Sequence, residues 1–278
     1  MERAVAELDA AGVASPRPDA MALAASALGV ERLTLAVPPP ARDGFTARYR
    51  ALVARRAARE PLQHILGFAW FRHVRLQVRA GVFVPRPETE VVAGAAIDEV
   101  RAITGRTPLV VDLCTGTGAI AASVADEAPA ASVIAVDVDH AAVDLARTNL
   151  AAFGDRARVE LADVTAPALL AALAGTVDVL VSNPPYIPPD AVPVDPEVHE
   201  HDPTRALYGG GADGLDVPRA VVAAARRLLR AGGLLVMEHG DEQGPPVREL
   251  VQSAGGFDRP QTCQDLTGRD RYVVARRV

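Results

Sequence analysis

Residues 109–118 read Leu109-Val110-Val111-Asp112-Leu113-Cys114-Thr115-Gly116-Thr117-Gly118. The first five residues predict a short buried strand, and the glycines after them predict a tight turn that opens a helix over residues 118–127. Because glycine has no Cβ, a ligand can lie against the turn, and the start of the helix offers unpaired N–H groups. The next apolar run ends at Asp137, where a carboxylate can accept both hydroxyls of a ribose.

Three interpretations of this turn fit its residues. Gly116, Gly118 and Ala121 satisfy the loose dinucleotide fingerprint G-x-G-x-x-G/A, and a purely structural turn is the simplest alternative. The third interpretation is a site for S-adenosylmethionine. Asp112 favours it, because a carboxylate just before the turn could hold an ammonium group but would repel a pyrophosphate. Cys114 is interpreted as a packing residue near the ligand and not as a nucleophile.

The rest of the C-terminal part alternates in the same way. Strands are predicted at residues 133–136, 177–181, 234–238 and 272–275, and helices at residues 140–153, 216–229 and 242–254. Repeated strand–helix units with apolar strands predict an α/β fold, whose parallel sheet is covered on both faces. Ligands of such a sheet bind beyond the carboxyl ends of its strands.

The N-terminal part has a different pattern. Helices are predicted up to about residue 59, and a period-two pattern over residues 68–84 predicts a β-hairpin that joins two domains. A helix is predicted over residues 88–103. Arg55, Arg56 and Arg59 give one helix a basic face, which is either solvated or a docking surface for an acidic partner or a nucleic acid.

A second candidate site follows the strand at residues 177–181, where the chain continues as Asn183-Pro184-Pro185-Tyr186. Two prolines remove two N–H donors, so the carbonyl of Pro184 is predicted to lack a local partner. Asn183 adds a side-chain carbonyl acceptor, and Tyr186 adds an aromatic face for a flat group. Two acceptors can orient an amide NH₂ for an in-line displacement that depends on positioning. A plain loop is the alternative.

Composition argues against several other classes of protein. A net charge of −6 and a pI near 5.6 disfavour a surface that clamps duplex DNA, so no stable nucleic-acid complex is expected. Two cysteines without C-x-x-C spacing indicate neither a disulfide framework nor a zinc module, which favours the cytoplasm. No signal peptide or bilayer-spanning run is predicted. His199-Glu200-His201 lacks the i, i+4 spacing of a helical zinc site, so no metal is expected.

The two candidate sites together resemble those of amino-methyltransferases with an Asn-Pro-Pro-Tyr signature, which act on adenine N6 or glutamine N5. Further motifs make the chain similar to the PrmC/HemK family, the peptide-chain release-factor glutamine N5-methyltransferases. These motifs lie at residues 61–67, 83–90, 210–215 and 268–271. The resemblance implies a helical substrate-recognition domain (1–67), a β-hairpin linker (68–84) and a Rossmann-like, seven-stranded class I methyltransferase domain (85–278).

The resemblance also implies roles for individual residues. Cofactor contacts are implied for Asp112 at the methionine end, for Cys114, Thr115, Gly116, Thr117, Gly118, Asp137 and Asn183, and from the linker for Phe83, Pro85 and Arg86. Asn183 and Pro184 would hold the target amide, with Pro185 and Tyr186 packed beside it. The implied substrate is the glutamine in the Gly-Gly-Gln loop of bacterial class 1 release factors, and the implied by-product is S-adenosylhomocysteine. Two residues depart from the family pattern: Cys114 replaces a glycine and His64 a tyrosine.

Several segments remain outside this assignment. Residues 188–213 are predicted to be a long loop that covers the substrate. Gly209-Gly210-Gly211 within it is predicted to be a flexible turn, with a phosphate cradle as the alternative. His239 is interpreted as a hydrogen-bonded structural residue, with a general base as the alternative. The alternative functions are methylation of a ribosomal-protein glutamine, methylation of adenine N6 in a nucleic acid, and cofactor binding without catalysis.

Overall fold

The computed structural model describes residues 1–34, 40 and 43–278. It contains two compact units. The first comprises residues 1–68 and 193–201, and the second comprises residues 69–192 and 202–278.

The described residues form eleven α-helices, two 3-10 helices (Ala151–Arg156 and Ala171–Leu173) and nine strands. The helices are α1 (Glu2–Ala10), α2 (Pro16–Leu28), α3 (Phe45–Ala57), α4 (Leu62–Leu66), α5 (Thr89–Ala102), α6 (Ala119–Glu127), α7 (His140–Leu150), α8 (Pro196–His201), α9 (Thr204–Leu207), α10 (Asp216–Leu228) and α11 (Gly244–Ala254). The strands are β1 (Phe68–Phe71), β2 (Val74–Gln77), β3 (Leu109–Leu113), β4 (Ser132–Asp137), β5 (Ala157–Leu161), β6 (Val177–Ser182), β7 (Leu229–Glu238), β8 (Gln261–Gln264) and β9 (Asp270–Arg276).

The first unit is a small helical domain built from α1–α4 and α8. Helix α2 begins at Pro16, because a proline at the first helical position has a suitable φ and needs no N–H partner. It ends at Gly29, whose φ of 71° is left-handed. The buried core of the unit includes Leu8, Leu23 and Val53.

Helix α8 comes from the segment that follows Tyr186 in the chain, and ion pairs hold it in the helical unit. The guanidinium of Arg56 contacts Asp19 on α2 at 2.7 Å and Glu197 on α8 at 2.6 Å. Arg59 binds both carboxylate oxygens of Glu197. Arg56 and Arg59 are therefore paired inside the unit, and the predicted basic face is neither fully solvated nor a free docking surface.

The second unit contains a seven-stranded sheet with the order β5-β4-β3-β6-β7-β9-β8. The pairs from β5 to β7 are parallel, and β9 runs antiparallel to both of its neighbours. Apolar clusters cover both faces of the sheet, as expected of strands buried between helices. The β1–β2 hairpin precedes this sheet. The predicted fold, a Rossmann-like domain after helices and a hairpin, is confirmed.

Strand β3 lies between β4 and β6, so the strand order changes direction at its carboxyl end. This is the position at which parallel α/β sheets bind ligands. Both candidate sites from the sequence follow strands that meet here, since one follows β3 and the other follows β6.

Two strands and three α-helices were not predicted, and one of these helices is the five-residue α4. Strands β5 and β8 lie at the sheet edges and carry partly exposed polar residues, so they lack the apolar run of a central strand. The loop predicted over residues 188–213 contains α8 and α9, which are too short to give a clear helical period. None of the described helices is long and apolar enough to cross a membrane.

Candidate active site

The turn after β3 contains three residues in the left-handed region. The φ angles of Cys114, Gly116 and Gly118 are 59°, 55° and 81°. The N–H of Thr115 donates to the carbonyl of Val136 at 3.0 Å, which fixes the turn against β4. Helix α6 begins directly after Gly118, so its first N–H groups lie at the carboxyl end of β3.

Cys114 has a side chain at a backbone conformation that favours glycine. Cys114→Gly is expected to raise the free energy of unfolding by about 0.5–1 kcal/mol, because relief of left-handed strain exceeds the entropic cost of glycine. Cys114→Val is expected to lower it by roughly 1–3 kcal/mol, because a β-branched residue is strained most at this φ. Thermal unfolding followed by circular dichroism measures both changes, and equal stability of the two variants would contradict the prediction.

The side chain of Asp112 stabilises the glycine turn through hydrogen bonds. Its side chain is fully buried, and its Oδ2 accepts hydrogen bonds from the Thr115 hydroxyl at 2.5 Å and the Ala121 N–H at 3.1 Å. Oδ1 is also buried and has no hydrogen-bond partner among the described residues. Burial raises the pKa of Asp112 to about 7. Oδ1 of Asp112 is thus an unused acceptor. A positively charged group beside it would stabilise the ionised carboxylate and would itself be stabilised.

Asp137 ends β4 beside the same turn. Its Oδ2 accepts from the N–H of Gly116 at 2.8 Å, and its Oδ1 accepts from the N–H of Asp139 at 3.0 Å. Burial raises the pKa of this half-buried carboxyl. Each oxygen of a carboxylate has two lone pairs, so Asp137 keeps acceptor capacity for a pair of hydroxyls.

The second candidate site lies next to the first. In the register of β3 and β6, Leu113 is opposite Ser182, and the Ser182 hydroxyl donates to the Leu113 carbonyl at 2.7 Å. Cys114 follows β3 and Asn183 follows β6. Both loops therefore leave the sheet at the same edge.

Asn183 and Pro184 each offer one acceptor. The side-chain NH₂ of Asn183 donates to the hydroxyl of Thr89 at 3.2 Å. Within the described part of the chain, neither Oδ1 of Asn183 nor the carbonyl of Pro184 accepts a hydrogen bond. Two such oxygens can each receive one N–H of a planar amide. Thr89 lies in the motif at residues 83–90, but the sequence does not assign it to the site, because 94 residues of chain separate it from Asn183.

Tyr186 is fixed at both its hydroxyl and its backbone. The phenol donates to Oε1 of Glu238 at 3.3 Å, and the backbone carbonyl accepts from the side-chain amide of Gln243 at 2.9 Å. Burial raises the pKa of Tyr186 far above its ordinary value, so the phenol stays neutral. The ring is therefore a fixed apolar surface and not an acid or a base near pH 7.

The loop at residues 209–214 packs against the backbone of the Asn183–Tyr186 motif, and its glycines make this close approach possible. A Cβ at Gly214 would lie 2.4 Å from the carbonyl oxygen of Tyr186, and a Cβ at Gly209 would lie 2.6 Å from that of Pro185. The N–H of Gly209 also donates to the carbonyl of Ile187 at 3.1 Å. Gly209 therefore packs closely against the backbone of the motif, while Gly210 and Gly211 lie beside the side chain of Asp216.

Phe83 and Arg86 lie in the segment that leads into α5. The guanidinium of Arg86 lies 5.0 Å from the centroid of the Phe83 ring and forms an ion pair with the buried Asp202. The N–H of Val84 donates to the same carboxylate at 3.4 Å. These contacts fix the segment in the second unit immediately before Thr89.

The remaining histidines do not form a second centre. His239 is buried, its Nδ1 lies 2.8 Å from the carbonyl oxygen of Gly240, and burial lowers its pKa. His199 and His201 lie on α8 in the helical unit. Among the described residues, no group of three or more His, Cys, Asp and Glu side chains is arranged to hold a metal ion.

Comparisons with known proteins agree with this architecture. The family described as the PrmC N-terminal domain matches residues 1–67, and the methyltransferase small domain matches residues 89–195. Release factor glutamine methyltransferase of Streptomyces coelicolor is 48% identical over 277 residues, which cover 99% of this chain and 96% of that protein. The protein of the same name from Mycolicibacterium smegmatis is 48% identical over 278 residues, covering 100% of this chain and 96% of that protein.

Among solved structures, the release factor-specific protein-(glutamine-N5) methyltransferase of Alicyclobacillus acidocaldarius is 29% identical. The match covers 70% of this chain and 94% of the chain of that structure, with a TM-score of 0.42.

The sheet, the glycine turn and the matched domain define a methyltransferase. With full-length relatives at 48% identity, the chain belongs to the family of release factor glutamine methyltransferases.

Proposed function

We propose that this enzyme transfers a methyl group from S-adenosylmethionine to the side-chain nitrogen, N5, of the glutamine in the Gly-Gly-Gln motif of bacterial class 1 release factors. The observation that carries the proposal is the pair of unused acceptors on Asn183 and Pro184, which lies beside the glycine turn. The named relatives support the substrate. The proposed location is the cytoplasm.

The residues around the turn fit the cofactor. Oδ1 of Asp112 is a buried acceptor without a partner, which suits an ammonium group. A Cβ at Gly116 would meet no atom within 4 Å, so there is space against the backbone. Asp137 would accept the ribose hydroxyls. Further contacts are proposed for Cys114, Thr115, Thr117, Gly118, Asn183, Phe83 and Arg86.

When bound, S-adenosylmethionine would supply an electrophilic methyl group on its sulfonium, and the by-product would be S-adenosylhomocysteine. The protein's part is to orient the glutamine amide, whose nitrogen lone pair is delocalised into its carbonyl. Asn183 Oδ1 and the Pro184 carbonyl would each accept one N–H, which directs the lone pair out of conjugation. Pro185 and Tyr186 would pack against the flat amide. The nitrogen proton leaves after transfer, so no strong general base is required.

We further propose that residues 1–67 recognise the release factor, with residues 68–84 as the linker and residues 85–278 as the catalytic domain. The family match over residues 1–67 supports this division. Residues 193–201 belong to the helical unit by their contacts, so α8 is taken out of the proposed catalytic range and included in the proposed recognition domain.

The decisive experiment offers labelled S-adenosylmethionine and three acceptors to the full-length enzyme. The acceptors are a purified release factor, its variant with alanine for the Gly-Gly-Gln glutamine, and duplex DNA. Label in the wild-type factor alone supports the proposal. Label in the alanine variant would refute the target residue. Label only in DNA, or only in a ribosomal protein offered as a fourth acceptor, would identify a different substrate.

Asp137→Ala is expected to weaken binding of S-adenosylmethionine by about 1–3 kcal/mol, because two acceptors for the ribose are lost. Asp137→Asn keeps one carbonyl acceptor and is expected to lie between the alanine variant and the wild type. Isothermal titration calorimetry measures the affinity. Asp139→Ala is the control: it removes the cap that accepts from Ala141 and Ala142 and lowers stability by about 1 kcal/mol without changing affinity. An unchanged affinity in Asp137→Ala refutes the ribose role.

A further inference from the structure

The backbone of the Asn183–Tyr186 motif depends on other loops for its position. The pairing of β6 with β3 and β7 ends at Ser182, and the two prolines of the motif have no N–H to donate. The carbonyl of Tyr186 accepts a hydrogen bond from the side-chain NH₂ of Gln243 at 2.9 Å. Within the described residues, this carbonyl accepts no other hydrogen bond. Gln243 is therefore the partner that holds the backbone at the end of the motif.

The side-chain amide of Gln243 joins three loops of the second unit. Its Oε1 accepts from the N–H of Gly240, which follows β7, at 3.0 Å. Its NH₂ donates to the carbonyl of Tyr186 and, at 3.1 Å, to the carbonyl of Asp213 in the loop before α10. Because an N–H can only donate and a carbonyl can only accept, these three partners allow only one orientation of the amide.

Gln243 is itself fixed by its backbone. Its N–H donates to the carbonyl of Gly240 at 2.9 Å, and its carbonyl accepts from the N–H of Val247 at 3.0 Å, at the start of α11. Gly240 thus contacts both the backbone and the side chain of Gln243. The half-buried side chain is held at both ends, so it can transmit the position of α11 to the motif.

Tyr186 packs closely on the loops that Gln243 joins. A Cβ at Gly240 would lie 3.7 Å from Cδ2 of the Tyr186 ring. A Cβ at Gly214, the residue after Asp213, would lie 2.4 Å from the carbonyl oxygen of Tyr186. The ring therefore lies against one of these loops and the carbonyl against another, and a change in the contacts of Gln243 would move both.

We propose that Gln243 is a positioning residue, which fixes Tyr186 and with it the surface on which the substrate amide packs. This inference rests on the proposed function for its catalytic consequence, but the position of the Tyr186 ring can be observed without any substrate. Gln243 acts through the backbone of the motif, so it is not a catalytic residue. Glutamine suits this role because one planar group supplies both an acceptor and two donors, whereas an ionised glutamate of the same shape supplies acceptors only.

Three substitutions test the amide of Gln243. Gln243→Glu keeps the shape of the side chain but places a carboxylate, which has no proton to donate, against two carbonyl oxygens. Gln243→Met keeps the length of the side chain and removes its polar hydrogens without adding charge. Gln252→Glu is the matched control, because it makes the same change at an exposed position on the same helix, α11.

The tyrosine rings give a readout that does not depend on activity. The chain contains four tyrosines, at positions 49, 186, 208 and 272, so ¹³C labelling of tyrosine rings in the full-length protein gives four sets of signals. Tyr186→Phe assigns the Tyr186 signals, and Tyr49 in the helical unit is an internal control. In Gln243→Glu and Gln243→Met, the Tyr186 signals are expected to shift, while those of Tyr49 stay in place. Gln252→Glu is expected to keep the wild-type spectrum.

Kinetics with the release factor give the second readout. Gln243→Glu is expected to lower kcat about tenfold, since a displaced packing surface slows the chemical step. KM and cofactor affinity are expected to change about twofold at most, because the partners of the Gln243 amide all lie outside the helical unit and the glycine turn. Gln243→Met is expected to change kcat in the same direction, and it keeps both readouts if Gln243→Glu does not fold. Gln252→Glu is expected to keep the wild-type kcat.

The two proposals fail in different ways. If the wild-type enzyme does not methylate the release factor, the proposed function is wrong, and the Tyr186 signals still decide whether Gln243 positions Tyr186. If the wild type is active but the Tyr186 signals of both Gln243 variants match its spectrum, the positioning role is wrong. Full kcat in Gln243→Glu, or an equal loss of kcat in Gln252→Glu, overturns the inference as well.

Discussion

Asn183→Ala is expected to lower kcat by about 10²-fold or more, the loss typical of removing one oriented polar group at a reacting centre. The substitution deletes the Oδ1 acceptor, so one N–H of the substrate amide loses its partner. It leaves the Pro184 carbonyl, the ring of Tyr186 and the glycine turn unchanged. The rate of methyl transfer to the release factor at saturating substrate and cofactor measures the effect.

Two matched variants separate position from chemistry at Asn183. Asn183→Gln keeps the amide but moves its oxygen by one methylene, and a displacement of about 1 Å at a reacting centre can cost 10²-fold, so it is expected to be slow as well. Asn183→Asp keeps an acceptor at the original place and is expected to be faster than both. Circular dichroism and a cofactor titration confirm that each variant is folded and loaded. A kcat within about threefold of wild type in Asn183→Ala would remove Asn183 from the mechanism.

Local patterns in the sequence were enough to place the two loops of this site. The apolar run before Cys114 and the one before Asn183 each predict a buried strand, and parallel strands end at one edge of a sheet. The register of β3 and β6 then brings the loops together, with Leu113 opposite Ser182. The glycines after Cys114 and the prolines after Asn183 indicate where each strand ends and its loop begins.

The residues behind these loops could not be predicted in the same way. Thr89 and Glu238 meet Asn183 and Tyr186 across 94 and 52 residues of chain, and no local period reports such a contact. A threonine at the start of a helix normally predicts only a cap, and a glutamate that ends a strand predicts exposure. The packing of the whole sheet is what buries them.

The Gly209–Gly214 loop illustrates a further limit. In the sequence, clustered glycines indicate flexibility, because glycine gains the most conformational freedom when unfolded. In the structure, Gly209 and Gly214 lie where a Cβ would overlap the backbone of the neighbouring motif. The same residue type thus serves close packing, which only the contact distances reveal.

Arg56→Met is expected to lower the free energy of unfolding of the helical unit by about 3–5 kcal/mol, the cost of leaving buried charges without their partner. The Arg56 side chain is 9% exposed, and its partners Asp19 and Glu197 are 10% and 15% exposed. Arg56 joins α2, α3 and α8. Without it, Asp19 loses its ion pair, while Glu197 keeps only Arg59. Hydrogen exchange of the amides in α2 and α3 measures this local stability.

Two further sets of substitutions in the same helical unit are the controls for this prediction. Arg17→Met removes an exposed pair, since the side chains of Arg17 and Glu2 are 54% and 77% exposed, and is expected to cost about 0–1 kcal/mol. Adding Asp19→Asn to Arg56→Met removes the stranded charge and is expected to recover part of the loss. A loss within about 1 kcal/mol for Arg56→Met would show that the cluster contributes little.

The pH dependence of stability gives an independent test of the ion pairs among Asp19, Arg56, Arg59 and Glu197. The guanidinium groups of Arg59 and Arg56 outweigh the effect of burial and hold the pKa of Glu197 down at about 2. Because the folded-state pKa lies below the unfolded value, this carboxylate stabilises the unit above the unfolded pKa of about 4.3, and its contribution is lost as the pH falls toward 2. The stability difference between wild type and Arg56→Met is therefore expected to shrink between pH 5 and about pH 2. A difference that stays constant over this range would show that the ion pairs with Glu197 are not its source.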